Sequence, residues 1–156
     1  MSAESSSDRR PLGRVFARLA RLVERGLVSS GLSLAQYRVL AFLAEERSAA
    51  AASKLADRMS VTRPTITALI DGLVAKGLVT RDPVPSDRRR VSVALTPEGR
   101  RCLTTADRGI DAQLAVLTKH LDPAEHAVAI AGAERWGDAL DRALLALMES
   151  QRGSRP

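Results

Sequence analysis

The sequence predicts a mainly α-helical chain that carries one small β-hairpin. Three observations lead there. Apolar residues recur at helical spacing in six separate segments. Hydrophobic residues make up 45% of the chain and aromatics only 3%, so aliphatic side chains must fill the core. One stretch, Thr80 to Thr96, switches to a period of two, with Val91, Val93 and Leu95 on one face. At 156 residues the chain reads as one domain with room for a real core.

Residues 1–10 are polar and read as a disordered tail, as do 150–156. The first helix starts near Leu12. Leu12, Val15, Phe16, Leu19, Leu22 and Val23 form its apolar stripe, and Arg14, Arg18, Arg21 and Arg25 take the other face. Gly26 to Gly31 breaks it. A second helix runs from Leu34 to about Glu46 and carries Tyr37, Leu40, Ala41 and Leu43. Alanine-rich residues 49–59 form a short third helix with Leu55 and Met59 inward.

Ser60-Val-Thr-Arg-Pro64 is a turn, followed by a fourth helix over Arg63–Lys76. Pro64 suits the first turn, where its missing N–H costs little, and Gly77 suits the C-terminal cap. Ile66, Leu69, Ile70, Leu73 and Val74 form the expected buried stripe. The hairpin follows. Pro83, Pro85, Ser86 and Asp87 mark its tip as a loop, loaded with Arg88, Arg89 and Arg90. Thr96-Pro97-Glu98 then reads as an N-cap, a first-turn proline and a first-turn acid. It opens a fifth helix to about His120, with Leu103, Ile110, Leu114 and Leu117 inward. Asp122-Pro-Ala-Glu125 reads as a capping box. The last helix carries Val128, Ile130, Ala131, Trp136, Leu140, Leu144 and Leu147.

The formal net charge is +6. Residues 58–101 hold nine basic against four acidic side chains, 1–57 nine against six, and 102–156 six against eight. The positive charge therefore gathers around the fourth helix and the hairpin, as a phosphate-facing surface requires. A protruding basic hairpin beside a helix suits a DNA groove, which is the arrangement of a winged helix.

Several blocks then become specific: Leu34-Ala-Gln-Tyr-Arg-Val-Leu40, Lys54-Leu-Ala56, Pro64-Thr-Ile-Thr67, Leu73-Val-Ala-Lys-Gly-Leu-Val79, Pro85-Ser-Asp-Arg-Arg89 and Leu95-Thr-Pro-Glu-Gly99. Over about residues 12–148 their order and spacing closely resemble the MarR family of bacterial transcription regulators. The resemblance implies a winged helix-turn-helix with N- and C-terminal dimerisation helices. It implies an obligate homodimer gripping a pseudo-palindromic operator on double-stranded DNA, with repression the usual sign. It divides the chain into an N-terminal dimerisation helix (11–33), a DNA-binding lobe (34–98) and C-terminal dimerisation helices (99–149).

In this reading the fourth helix is the recognition helix. With its stripe buried, Arg63, Thr65 and Thr67 are left for the DNA side, next to Pro64 and Thr62. An arginine can donate two hydrogen bonds to guanine O6 and N7, and threonine can meet a phosphate or a base. A helix cap without a DNA role is the equally weighted reading of Thr62. The resemblance places Arg89 as the minor-groove arginine of the wing, where a narrow groove concentrates negative potential. Asp87 repels phosphate and is better read as holding the wing's arginines. Arg88 and Arg90 meet phosphate or water.

The resemblance also implies a small aromatic or anionic effector between lobe and dimerisation region, bordered by Phe16, Tyr37 and Arg38. An ordinary core or surface role for these three is the weightier reading. Cys102 lies beside Arg100 and Arg101, which could lower its pKa, but an inert buried thiol is favoured. One cysteine excludes a disulfide framework. His120 and His126 match no zinc spacing, and neither metal nor cofactor is expected. No nucleophile–base constellation or phosphate loop suggests an enzyme. The N-terminus lacks a basic stretch followed by an apolar run, and no apolar run approaches the ~20 residues that span a bilayer. A cytoplasmic protein with no membrane partner is the expectation. The competing reading is a non-specific architectural DNA-binding protein.

Overall fold

The computed structural model describes residues 11–46, 49–84 and 87–153. Six helices and three strands follow in the order α1 (Leu12–Gly26), a single 3-10 turn (Leu27–Ser30), α2 (Leu34–Glu45), β1 (Ala50–Ala51), α3 (Ala52–Met59), α4 (Arg63–Ala75), β2 (Val79–Val84), β3 (Asp87–Leu95), α5 (Pro97–Thr118) and α6 (Pro123–Gly153). The tail expected at 1–10 lies outside the described residues, as do 154–156 of the tail expected at 150–156, whereas 150–153 continue α6. Among those described, no single helix is long and apolar enough to cross a membrane.

The fold is mainly α with a small antiparallel sheet of order β1-β3-β2. The sheet has one strand more than the hairpin expected from the sequence. Ala50 and Ala51 pair with Val93 and Ser92 instead of opening the third helix, which begins at Ala52. In the hairpin, β2 and β3 pair in register from Val79↔Leu95 to Pro83↔Val91. The register then jumps to Val84↔Asp87 and passes over Arg88, Arg89 and Arg90. Pro83 has no N–H for the ladder, and a bulge beside it is the usual response. The arginines thus lie on the strand side of the tip, in a bulge of β3.

Helix ends follow the capping chemistry. Thr62, Thr96 and Asp122 each accept a hydrogen bond from the backbone N–H three residues on. Ser60 and Gly77 take left-handed conformations after α3 and α4. In both, the N–H of the following residue reaches back to close the last turn (Val61 to Ala56 O, 3.1 Å; Leu78 to Leu73 O, 3.0 Å).

The core lies between α2, α3, α4, the sheet and the start of α5. Leu40, Leu55, Ile66, Ile70, Leu73 and Val93 are fully buried there. Val74 is exposed, one position off the stripe expected of it, because Leu73 and Leu78 already seal that end of α4. Outside this lobe the apolar stripes are largely uncovered. Leu12, Val15 and Phe16 of α1, Leu117 of α5, and Val128, Ile130, Trp136, Leu140 and Leu147 of α6 are exposed rather than inward. Val128 is 73% exposed and Trp136 52%. Periodicity locates an apolar face; it does not say what covers it.

Gly26 is the last residue of α1 rather than a break before its end. A Cβ there would stand 2.6 Å from Ile110 Cα, and one on Gly109 would stand 2.1 Å from Gly26 O. The two glycines let α1 and α5 cross with their backbones touching.

Candidate nucleic-acid interface

The exposed start of α4 presents Arg63, Pro64, Thr65 and Thr67 on one side of the lobe, while Ile66 and Ile70 bury the other. Thr62 is the cap. Its Oγ1 accepts from Thr65 N at 3.4 Å and lies 2.8 Å from Thr65 Oγ1. Thr67 Oγ1 donates to Arg63 O at 2.9 Å. All three hydroxyls are engaged within the helix, and each keeps accepting capacity for a further donor.

Beside this face is a cleft of about 350 Å³ lined by Ala51, Ala52, Ser53, Arg63, Ile66, Thr67, Arg81 and Val91. It joins the starts of α3 and α4 to the base of the hairpin and brings two arginines to one concavity. Arg81 on β2 donates to Asp71 on α4 at 2.6 Å. This pair is exposed, so its stability contribution is small, ~0.2–1 kcal/mol. Its geometric effect is to tie the hairpin to the helix. Sequence reasoning passed over both residues. The available signal was an acid on a face otherwise suited to phosphate, which calls for a cation to neutralise it.

The side chains of Asp87, Arg88, Arg89 and Arg90 lie outside the described residues, so their expected roles rest on the backbone bulge that carries them. Two further contacts fix the hairpin and α4 to the rest. Thr96 Oγ1 donates to Gly77 O at 2.8 Å, where α4 ends, and accepts from Gly99 N, where α5 begins. Lys76 Nζ donates to Gly31 O (2.7 Å) and to Gln36 Oε1 (3.1 Å), anchoring the end of α4 to the start of α2.

The expected effector residues have separate partners. Tyr37 Oη on α2 donates to Asp107 Oδ1 on α5 at 2.9 Å. Burial first, then that hydrogen bond and the charges of Asp107, Asp111 and Glu45, pushes its phenol up to about 12. Phe16 on α1 instead meets Trp136 on α6 edge-on, with ring centres 5.6 Å apart. Arg38 is exposed on α2.

Burial pushes the Cys102 thiol up, and its Sγ lies 3.6 Å from Ser30 O. Lys76 lowers it and Glu98 raises it, each by less than burial does. Arg101 pairs with Glu98, and Arg100 reaches Leu95 O. His126 sits in the first turn of α6 beyond the capping box of Asp122 and Glu125. Among the described residues, no group of three or more His, Cys, Asp or Glu could hold a metal ion.

A model of the MarR family matches residues 30–90, from the start of α2 to the hairpin. The HTH-type transcriptional repressor YetL of Bacillus subtilis is 33% identical over 87 residues, 55% of this chain and 52% of that protein. The chain spans about half the length of the curated relatives it matches. Among solved structures, apo MarR from E. coli is 28% identical with a TM-score of 0.71, over 83% of this chain and 98% of that one. CouR from Rhodococcus jostii RHA1, solved with p-coumaroyl-CoA, is 26% identical with a TM-score of 0.67, over 83% and 88%. CouR bound to a 23-mer DNA duplex gives 25% and 0.69, over 81% and 89%. With the winged-helix architecture matched over most of its length and the family's blocks in the matched region, the chain is similar in both sequence and fold to the MarR family of transcription regulators.

Proposed function

We propose that this chain is a sequence-specific DNA-binding transcription regulator that works as a homodimer. In this reading it represses from a pseudo-palindromic operator and is released by a small-molecule ligand. One observation carries the proposal. The exposed start of α4, with Arg63, Thr65 and Thr67, stands beside a two-arginine cleft and a hairpin whose bulge holds three more arginines. Such a surface can enter a major groove while gripping the phosphates on either side. Residues 34–98 form the DNA-binding lobe, and α1 with α5 and α6 the dimerisation region. The uncovered apolar faces of those three helices support that division.

Arg63 reads a base, Arg89 the minor groove, and Arg88 and Arg90 phosphates, with Asp87 holding the wing. CouR's structures with DNA and with p-coumaroyl-CoA support a duplex and an aromatic, anionic effector as partners. Phe16, Tyr37 and Arg38 border the effector site, where a ligand replaces the bond between Tyr37 and Asp107. Binding then favours a lobe spacing that mismatches successive major grooves. We place its action in the cytoplasm.

The test is selection of bound duplexes from a random pool, with competition against random DNA. A palindromic consensus is expected, with a specificity ratio far above one; a ratio near one would instead mark an architectural binder. Arg63→Ala should cost ~1–3 kcal/mol and relax preference at one position. Equal loss on every sequence would make Arg63 a phosphate contact. Arg89→Ala should weaken the selected duplex, and unchanged affinity at physiological salt would remove the wing from the interface.

A further inference from the structure

The first helix of the helix-turn-helix is held from behind by the last helix of the chain. Arg58 on α3 donates from Nη2 to Asp141 Oδ1 on α6 at 2.6 Å, across 83 residues of sequence. The same guanidinium lies 5.7 Å from the centre of the Phe42 ring, and the Lys54 ammonium, one turn earlier, lies at the same distance. Lys54 has its own acid in Glu46, at 2.5 Å. Phe42 is buried on α2. One side of α3 is therefore fixed by cation–π contact to α2 and by an ion pair to α6.

Two hollows of about 290 and 380 Å³ run along the seam between α6 and α3. Val61 and Thr62, in the turn before α4, line the second together with Leu144 and Leu147 of α6. Arg58 is five residues from Ser53, which lines the cleft beside Arg63, so about 140° of helix separates the two side chains. Arg58 thus faces away from the proposed DNA surface and is engaged where it is.

We propose that Asp141 and Arg58 are positioning residues for DNA recognition. Through them α6 sets the angle of α3, and through the Ser60–Thr62 turn it sets how Arg63 is presented. The affinity part of the test rests on the DNA-binding reading above; the structural part does not. Asp141→Asn in the full chain separates positioning from charge. Removing an acid makes the protein more positive, so electrostatics alone tightens binding to any duplex. Loss of positioning weakens binding to the selected duplex by several-fold and leaves a random duplex no weaker.

Amide hydrogen exchange at residues 56–61 should rise several-fold in the same variant. The reversed pair, Arg58→Glu with Asp141→Arg, should recover both properties relative to either single change. Tighter or equal binding of Asp141→Asn to the selected duplex overturns the inference, as does unchanged exchange at 56–61. If the wild type binds no duplex, the DNA reading fails, and the exchange response of Asp141→Asn still decides the clasp.

Discussion

At the scale of single residues, Tyr37 offers a direct measurement, because it is the only tyrosine in the chain. Its phenol is raised from 10.0 to about 12 by burial and by the Asp107 bond. The fold favours the neutral form. Its stabilising effect is therefore complete below pH 10 and is lost as pH rises through 12. Phenolate absorbance of the folded protein should titrate near 12. A midpoint near 10 would mean that Tyr37 is neither buried nor bonded to Asp107 as described. Tyr37→Phe should flatten the alkaline loss of stability between pH 10 and 12. Gly99 is a second sharp case. A Cβ there would stand 2.0 Å from Leu78 O, a backbone atom that cannot swing aside. Gly99→Ala should destabilise the chain by ~1–3 kcal/mol in urea unfolding, and a neutral result would contradict the close approach of α5 to Leu78.

At the scale of elements, Thr96 joins three of them. It caps α5, accepts from Gly99 and donates to the end of α4. Thr96→Val should cost ~1–2 kcal/mol, and Thr96→Ser should retain most of it, read as shifts in the urea midpoint. A larger loss in Thr96→Ser than in Thr96→Val would show that the methyl, not the hydroxyl, matters. The start of α5 was legible in the sequence because Thr96-Pro97-Glu98 is local chemistry, complete within one turn. β1 was not legible. Two alanines carry no strand signal, and only Val93 and Ser92 across the ladder make Ala50 and Ala51 extended. The exposed start of α4 could be read from its stripe, since burying Ile66 and Ile70 leaves Arg63 and Thr67 outside. For the Asp71–Arg81 tie the sequence signals only an acid in need of a cation, because no periodicity links a helix to the strand ten residues on. The stripes of α1 and α6 were visible as apolar faces, but their cover depends on what packs there, which one chain's pattern does not encode.

At the scale of the molecule, α1, α5 and α6 expose apolar side chains of the kind that mark an interaction surface, which the proposed homodimer would cover. Sedimentation of the full chain should show a dimer at micromolar concentration. Val128→Asp, at a site 73% exposed in the single chain, should shift the equilibrium toward monomer. A wild type that sediments as a monomer would leave those faces without their proposed partner. The crossing of Gly26 on Gly109 bears on how such a dimer can move. With no side chains between the backbones, the contact has nothing to compress and would serve as a fulcrum for any tilt of α5 on α1. Gly109 is 12 residues from Pro97, a lever arm of ~18 Å along α5. A tilt of ~5° about that point carries the Pro97 end by ~1.5 Å on that arm. That end is bonded through Thr96 to Gly77, two residues past α4. Small rotations in the stem thereby become displacements of the helix proposed to read DNA, with leverage set by the place of one glycine.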